Sequence, residues 1–156
     1  MITNFKKMNI KIRKLVKSDL PFFNEVRSDS SMFLHDKNNY TLEDNIKWFK
    51  SLESPFFMVE ILNEDIGYFR TSNWINNTLY IGMDIHKKYR GLGYAKPSYL
   101  KFIKYLKEEF NIKTIFLEVL SSNKRAINIY NKLDFTIISV EPHNEVDKTI
   151  KMKLDI

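Results

Sequence analysis

The sequence contains no cysteine. Disulfides, thiolate metal sites and a cysteine nucleophile are therefore excluded. Long apolar runs are missing as well. A secretory leader needs an apolar core of about 7–15 residues, and a membrane-spanning helix needs about 20. The opening stretch MITNFKKMNIKIRKL offers neither, nor does any later segment. The expectation is a soluble, unexported, cytoplasmic protein with no membrane partner. Glycine and proline are scarce, with four of each in 156 residues. That scarcity makes their placement informative, because two of the glycines fall two apart in YRGLGYAKP, Tyr89 to Pro97.

The length suits a single domain over 1-156. A chain of this size can bury roughly 70% of its unfolded surface and needs no covalent staples. Twenty lysines and five arginines outweigh 19 acidic residues, giving a net charge of +6. A positive surface attracts phosphates and nucleotides. Nucleic acid is not the expected partner, since a nucleic-acid binder gathers its basic residues into one stripe with interleaved aromatics. Here the lysines are scattered through nearly every element.

Hydrophobic periodicity predicts the order β-α-α-β-β-β-α-β-α-β-β. KIRKLV (11–16) is a strand, and Ser18-Asp19-Leu20-Pro21 opens a helix through Arg27. Thr41 and Asp44 form a capping box for a second helix through Leu52. PFFMVEIL, DIGYFRTSN and TLYIGMDIH form a meander, with turns at Asn63-Glu64 and Asn76-Asn77. A helix over 93–110, a strand over 112–120, a helix over 123–133 and two closing strands complete the chain. The fold class is α/β (α+β): one mixed, mostly antiparallel sheet of about seven strands with helices on both faces. A doubly wound dinucleotide fold is excluded, because no helical crossover joins the first four strands.

The paired glycines lie between a strand and a long helix. Glycine accepts positive φ and lets a ligand approach the backbone closely. The first amides of a helix are unpaired and carry the positive end of its dipole. Such a junction is ready to hold phosphate, with Arg90 as an added cation. Neither GxxxxGK[ST] nor GxGxxG is present. Further along, SSNKRAINIYNKLDF places Ala126, Ile129, Tyr130 and Leu133 on one helical face. A tyrosine hydroxyl facing a cleft can donate a proton; the alternative is a core tyrosine with a satisfied hydroxyl.

Together, Arg90-x-x-Gly93-x-Ala95, a strand, then Asn123-x-x-Ala126-x-x-x-Tyr130-x-x-x-x-Phe135 resembles the GCN5-related N-acetyltransferases. The resemblance implies a GNAT-like domain that uses acetyl-CoA and no metal. It implies that Arg90, Gly91, Leu92, Gly93, Tyr94 and Ala95 hold the pyrophosphate. It also implies that Asn123 lies along the pantetheine arm and that Tyr130 protonates the leaving thiolate. A backbone amide between Met83 and Ile85 would stabilise the oxyanion. Asp84 is the first candidate for taking the amine's proton, with His86 and Glu118 as alternatives. One departure is Asp134, where the family usually has glycine.

For the acceptor, the segment 27–49 resembles nucleotide-aminosugar N-acetyltransferases through Arg27, the polar run after it, Glu43-Asp44 and Trp48-Phe49. Arg27, His35, Trp48, Arg70 and Tyr80 are the candidate substrate contacts, with Tyr68 and Trp74 as further aromatics near the sheet. The rival acceptor is a protein or peptide amine, such as a ribosomal-protein N-terminus. The protein is expected to act as a monomer or homodimer.

Overall fold

The computed structural model describes residues 8–30 and 38–156. Seven strands form one sheet: β1 (Ile10–Lys14), β2 (Phe57–Ile61), β3 (Glu64–Ile75), β4 (Thr78–Ile85), β5 (Thr114–Leu120), β6 (Thr136–Pro142) and β7 (Lys148–Asp155). Their spatial order is β1-β2-β3-β4-β5-β7-β6. Every neighbouring pair is antiparallel except β4 with β5. Helices α1 (Leu20–Ser30) and α2 (Leu42–Lys50) cover one face, and α3 (Ala95–Phe110) and α4 (Lys124–Lys132) the other. The expected fold class is the observed one.

The two faces follow from strand alternation. Phe57, Val59, Phe69, Leu79, Ile81, Ile115, Leu117 and Met152 point to one side, where Tyr99, Phe102 and Leu106 of α3 complete the larger core. Phe102 stacks on Phe69 with ring centroids 4.1 Å apart. Met58 and Tyr68 point the other way and meet Leu20, Phe23 and Val26, the inner face of α1. Each buried aromatic or aliphatic side chain here contributes about 1.5–3 kcal/mol.

Local chemistry sets the joints. Leu62 and Asn63, and again Asn76 and Asn77, have positive φ at both central turn positions. That is the type I′ geometry whose twist matches a hairpin. The first turn therefore lies one residue earlier than the sequence suggests, and Leu62 takes a conformation usually left to asparagine or glycine. The capping box at α2 forms as expected: the Asp44 amide donates to Thr41 Oγ1 at 3.1 Å, and the Thr41 amide to Asp44 Oδ2 at 2.9 Å. Before α1, Asp19 works differently. Its carboxylate accepts from the Val16 amide at 2.8 Å and from both terminal nitrogens of Arg13 at 2.7 and 2.8 Å. The Arg13 guanidinium and the Val16 amide together outweigh the cost of burial and hold the Asp19 carboxyl below its usual range. This clasp ties the start of α1 to the edge strand β1.

The feature that makes a site is a fork. β4 and β5 pair only at Thr78–Thr114, Leu79–Ile115 and Tyr80–Phe116. Beyond Tyr80, β4 keeps β3 on one side and loses its neighbour on the other. The edge of Ile81 to Ile85 is left facing a gap.

Candidate active site

The gap widens into a cleft of about 960 Å³ between the far halves of β4 and β5, the loop before α3 and the start of α4. Its walls bring together most of the residues singled out from sequence. Asp84, Ile85, Arg90, Gly91, Gly93, Tyr94, Ala95, Asn123 and Tyr130 line it, as do Arg70 and Glu118.

The loop is built as its glycines require. Gly91 and Gly93 have φ of +74° and +80°, which L side chains rarely adopt. A Cβ on Gly93 would meet no protein atom within 4 Å, so the space beside it is open to a ligand. α3 begins at Ala95, two residues later than expected, and Pro97 sits harmlessly in its first turn. Gly93, Tyr94 and Ala95 at the start of that turn line the cleft, where the first amides of a helix lack partners within it, and the open edge of β4 offers further backbone groups. These features fit an extended thioester ending in a pyrophosphate. Arg125, which the sequence reading passed over, supplies a cation: its Nη2 lies 3.8 Å from the ideal Cβ position of Gly91. Arg90 turns away from the loop. Its Nε donates to the carbonyl of Ile85 at 2.9 Å, and its Nη2 to Ser30 Oγ at 3.0 Å. Asn123 caps α4, its Oδ1 accepting from the Ala126 amide at 3.3 Å. Leu92 is exposed on the loop.

Tyr130 is fixed by the end of its own helix. The Phe135 amide donates to the Tyr130 carbonyl at 3.1 Å, and the Asp134 amide to that of Asn131 at 3.2 Å. With Asp134 at φ +67°, this is a Schellman cap. It explains why the family places glycine there. The accompanying apolar contact is Tyr130 on Phe135, with centroids 5.9 Å apart. The Tyr130 hydroxyl lies 3.1 Å from that of Tyr99, a partner that sequence spacing does not reveal. Burial raises Tyr130 above the ordinary phenol value, while the Tyr99 hydrogen bond and the charge of Arg70 pull the other way. The net rise keeps its hydroxyl protonated at neutral pH.

On the opposite wall, Arg70 Nε lies 2.9 Å from Asp84 Oδ2. Neither atom makes an aligned hydrogen bond, so charge is what holds the pair. Burial works against the Arg70 charge, and Asp84 more than offsets it. Gly82 permits this arrangement: a Cβ there would stand 2.3 Å from Arg70 Nη2. Below the pair, the buried Tyr68 hydroxyl is driven well above its ordinary value, first by burial and then by Asp84.

The remaining candidates divide. Tyr80 stacks on Phe116 at 5.3 Å, and Lys151 Nζ stands 5.0 and 5.1 Å from the two ring centres. Trp48 stacks on Phe23 at 5.0 Å in the smaller core. Trp74 packs against the larger core. Arg27 lies over the ring of Tyr40 at 5.5 Å. His35 lies outside the described residues. His86 is not on the cleft wall. Its Nδ1 accepts from the Lys88 amide at 3.1 Å, which leaves the proton on Nε2 to face Glu25 Oε1 at 2.7 Å. Glu25, Asp29 and His86 gather donor atoms within 4.8 Å, yet that tautomer presents a proton where a metal would need a lone pair.

Among the described residues, no helix is long and apolar enough to cross a membrane.

Comparison with known proteins points the same way. The acetyltransferase (GNAT) domain profile matches residues 9–136. An N-alpha-acetyltransferase from Sulfurisphaera tokodaii is 29% identical over 121 residues, covering 70% of this chain and 72% of the relative. Two solved structures share the fold. The yncA protein of Salmonella typhimurium, solved with its cofactor acetyl-CoA, superposes with a TM-score of 0.77 at 17% identity, covering 94% of each chain. A spermidine N-acetyltransferase variant from Vibrio cholerae gives 0.81 at 17% identity, covering 94% of this chain and 93% of its own. The forked sheet, the glycine loop and the matched profile agree: this chain belongs to the GNAT family and is an acetyltransferase that draws its acetyl group from acetyl-CoA.

Proposed function

We propose that the protein acetylates the primary amine of a nucleotide-linked aminosugar. The observation that carries this acceptor class is the strip beside Arg70 on the α1 face of the sheet. There the stacked Tyr80–Phe116 pair, with Lys151 across both rings, stays partly exposed. Aromatic faces suit a flat base, and Lys151 and Arg70 suit a pyrophosphate. The rival acceptor, a peptide N-terminus, is favoured by the likeness to the Sulfurisphaera tokodaii protein.

In this reading the amides of residues 91–95 hold the donor's pyrophosphate, and the open edge of β4 receives its arm. The amine attacks the thioester carbonyl, and an amide between Met83 and Ile85 steadies the oxygen as it gains charge. The C–S bond then breaks, and the thiolate takes the Tyr130 proton. Tyr99, the more deeply buried of the two phenols, donates to the Tyr130 oxygen and leaves the Tyr130 proton free for sulfur. Asp84 came first from sequence as proton acceptor. Its pairing with Arg70 suits it better to holding that cation. Glu118, exposed on the cleft wall of β5, receives the amine's proton through water.

The test is direct. The protein is incubated with acetyl-CoA and a panel of UDP- and dTDP-aminosugars beside peptide amines, and free thiol is followed. Turnover confined to aminosugars supports the proposal; turnover confined to peptides moves the protein to the rival reading. Glu118→Gln and Asp84→Asn, compared on the active substrate, separate the two carboxylates.

A further inference from the structure

Arg90 opens the family's glycine motif, yet its guanidinium is spent on two protein oxygens away from the loop. One is the last carbonyl of β4, at Ile85; the other is Ser30 Oγ, on the last residue of α1 and 60 positions away in sequence. It is not alone. His86 Nε2 meets Glu25 Oε1 at 2.7 Å, and Lys87 Nζ meets Asp29 Oδ1 at 3.8 Å. The His86 ring also stacks on Phe22, with centroids 5.7 Å apart. Residues 22, 25, 29 and 30 lie along one side of α1, as a spacing of three to four residues requires. Their partners, 86, 87 and 90, lie in the short connection 86–90 between β4 and the donor loop. Ser30 and His86 are buried, so the Arg90–Ser30 link and the His86 end of its pair belong to the fold, while Glu25 and the Lys87–Asp29 pair lie toward the surface. On the same side of α1, Val26 with Phe23 beside it packs with Tyr68, which underlies the Arg70–Asp84 pair.

We propose that Arg90 is a positioning residue that couples the donor loop to α1, so that acetyl-CoA binding stiffens the helix backing the acceptor wall. The physical argument is short. The loop and α1 share one hydrogen-bonded junction, and a ligand that orders one side of it lowers the entropy left to lose on the other. Donor binding thereby prepares the acceptor side before the acceptor arrives. The inference rests on the donor loop being at 91–95, and it does not depend on which amine is acetylated.

The test is amide hydrogen exchange on the full chain, with and without saturating acetyl-CoA. It needs no acceptor. Wild type is expected to show slowed exchange both in peptides covering 91–98 and, by about threefold to tenfold, in peptides covering 20–30. Glu25→Ala combined with Ser30→Ala removes two of the links and leaves the Arg90–Ile85 bond in place. In that variant the loop is expected to keep its protection and α1 to lose it. Glu25→Ala alone, at an exposed position, is expected to show a partial loss should the double variant fold poorly. Protection at 91–98 with none at 20–30 in wild type overturns the coupling. So does α1 protection that survives undiminished in the folded variants. Absence of protection at 91–98 overturns the loop assignment and the coupling together.

Discussion

The two sides of the cleft are made of different material. The side proposed for the donor is mostly backbone: two glycines at positive φ, the first turn of α3, the edge of β4 beyond its pairing with β5 and the Schellman cap that holds Tyr130. The side proposed for the acceptor is mostly charged and aromatic side chain: Arg70 on Asp84, with the Tyr80–Phe116–Lys151 strip beside it on the same face of the sheet. Backbone geometry suits a donor that is always the same molecule. Side chains can be exchanged without disturbing the fold, and that suits an acceptor that differs from one family member to the next. The difference teaches where each kind of mutation will register.

The largest effect is expected where the two sides meet, at Tyr130. Tyr130→Phe keeps the packing and removes the acid. It should lower kcat by about 10²–10⁴-fold and leave the acetyl-CoA Kd from calorimetry almost unchanged. A near-normal kcat with a lowered Tm would make the residue a core tyrosine. Because burial raises its pKa, wild-type kcat should show no loss of this acid up to about pH 10.

Gly93→Val attacks the backbone side. The added side chain enters open space and forces a left-handed φ, a strain of about 1–2 kcal/mol. Acetyl-CoA affinity should fall about tenfold or more while circular dichroism stays native. Unchanged affinity would remove the loop from donor binding.

Arg70→Gln attacks the side-chain side. The expected result is a higher KM for the acceptor, by about tenfold, with acetyl-CoA affinity intact. Gly82→Ala should produce a smaller change in the same direction, since its Cβ displaces the guanidinium without deleting it. Loss of donor binding in either variant would erase the distinction between the two sides.

Asp19→Asn should cost about 1–3 kcal/mol at pH 7, read as a lower denaturation midpoint. The Asp19 carboxyl is held below its ordinary value. Its contribution is therefore complete above the unfolded-state value near 4 and disappears as pH falls through the folded one. The gap between wild type and variant should close in acid.

The smallest effect is expected at Asp134. Asp134→Gly relieves a non-glycine αL residue and should raise stability by up to about 1 kcal/mol. kcat should not change, because the cap already positions Tyr130.

The same division decides what could be read from the sequence. The glycine spacing, the capping box and the Ala126–Tyr130 helical face are local, so they were legible as residue patterns. Asp134 was legible as a departure, though its left-handed φ was not. The tertiary links depend on partners far apart in the chain. Arg13 reaches Glu60 and Asp65, 47 and 52 positions away, and Arg90 reaches Ser30 across 60. No periodicity announces such pairs. Tyr99 lies on the inner face of α3, and only the fold brings its hydroxyl to Tyr130. Trp48 is a candidate substrate contact through the resemblance of the segment 27–49, which carries no mark of which way the ring faces; it stacks on Phe23 against the smaller core.

The fork between β4 and β5 has one more consequence. A strand edge with unsatisfied amides and carbonyls is ordinarily an invitation to self-association. Outer edges discourage neighbours with charge, proline or bulges. The edge of Ile81 to Ile85 carries no proline and no bulge; its one charge, Asp84, is paired with Arg70, and Arg90 already occupies the Ile85 carbonyl. It is protected by access instead. The fork closes at Tyr80 and Phe116, and the loop and α4 stand on either side of the opening. A slender chain can lie along the edge, whereas a β-strand bristling on both faces cannot enter. The molecule thus keeps a reactive seam exposed to its cofactor and hidden from other copies of itself, with steric width doing the work that surface charge does elsewhere.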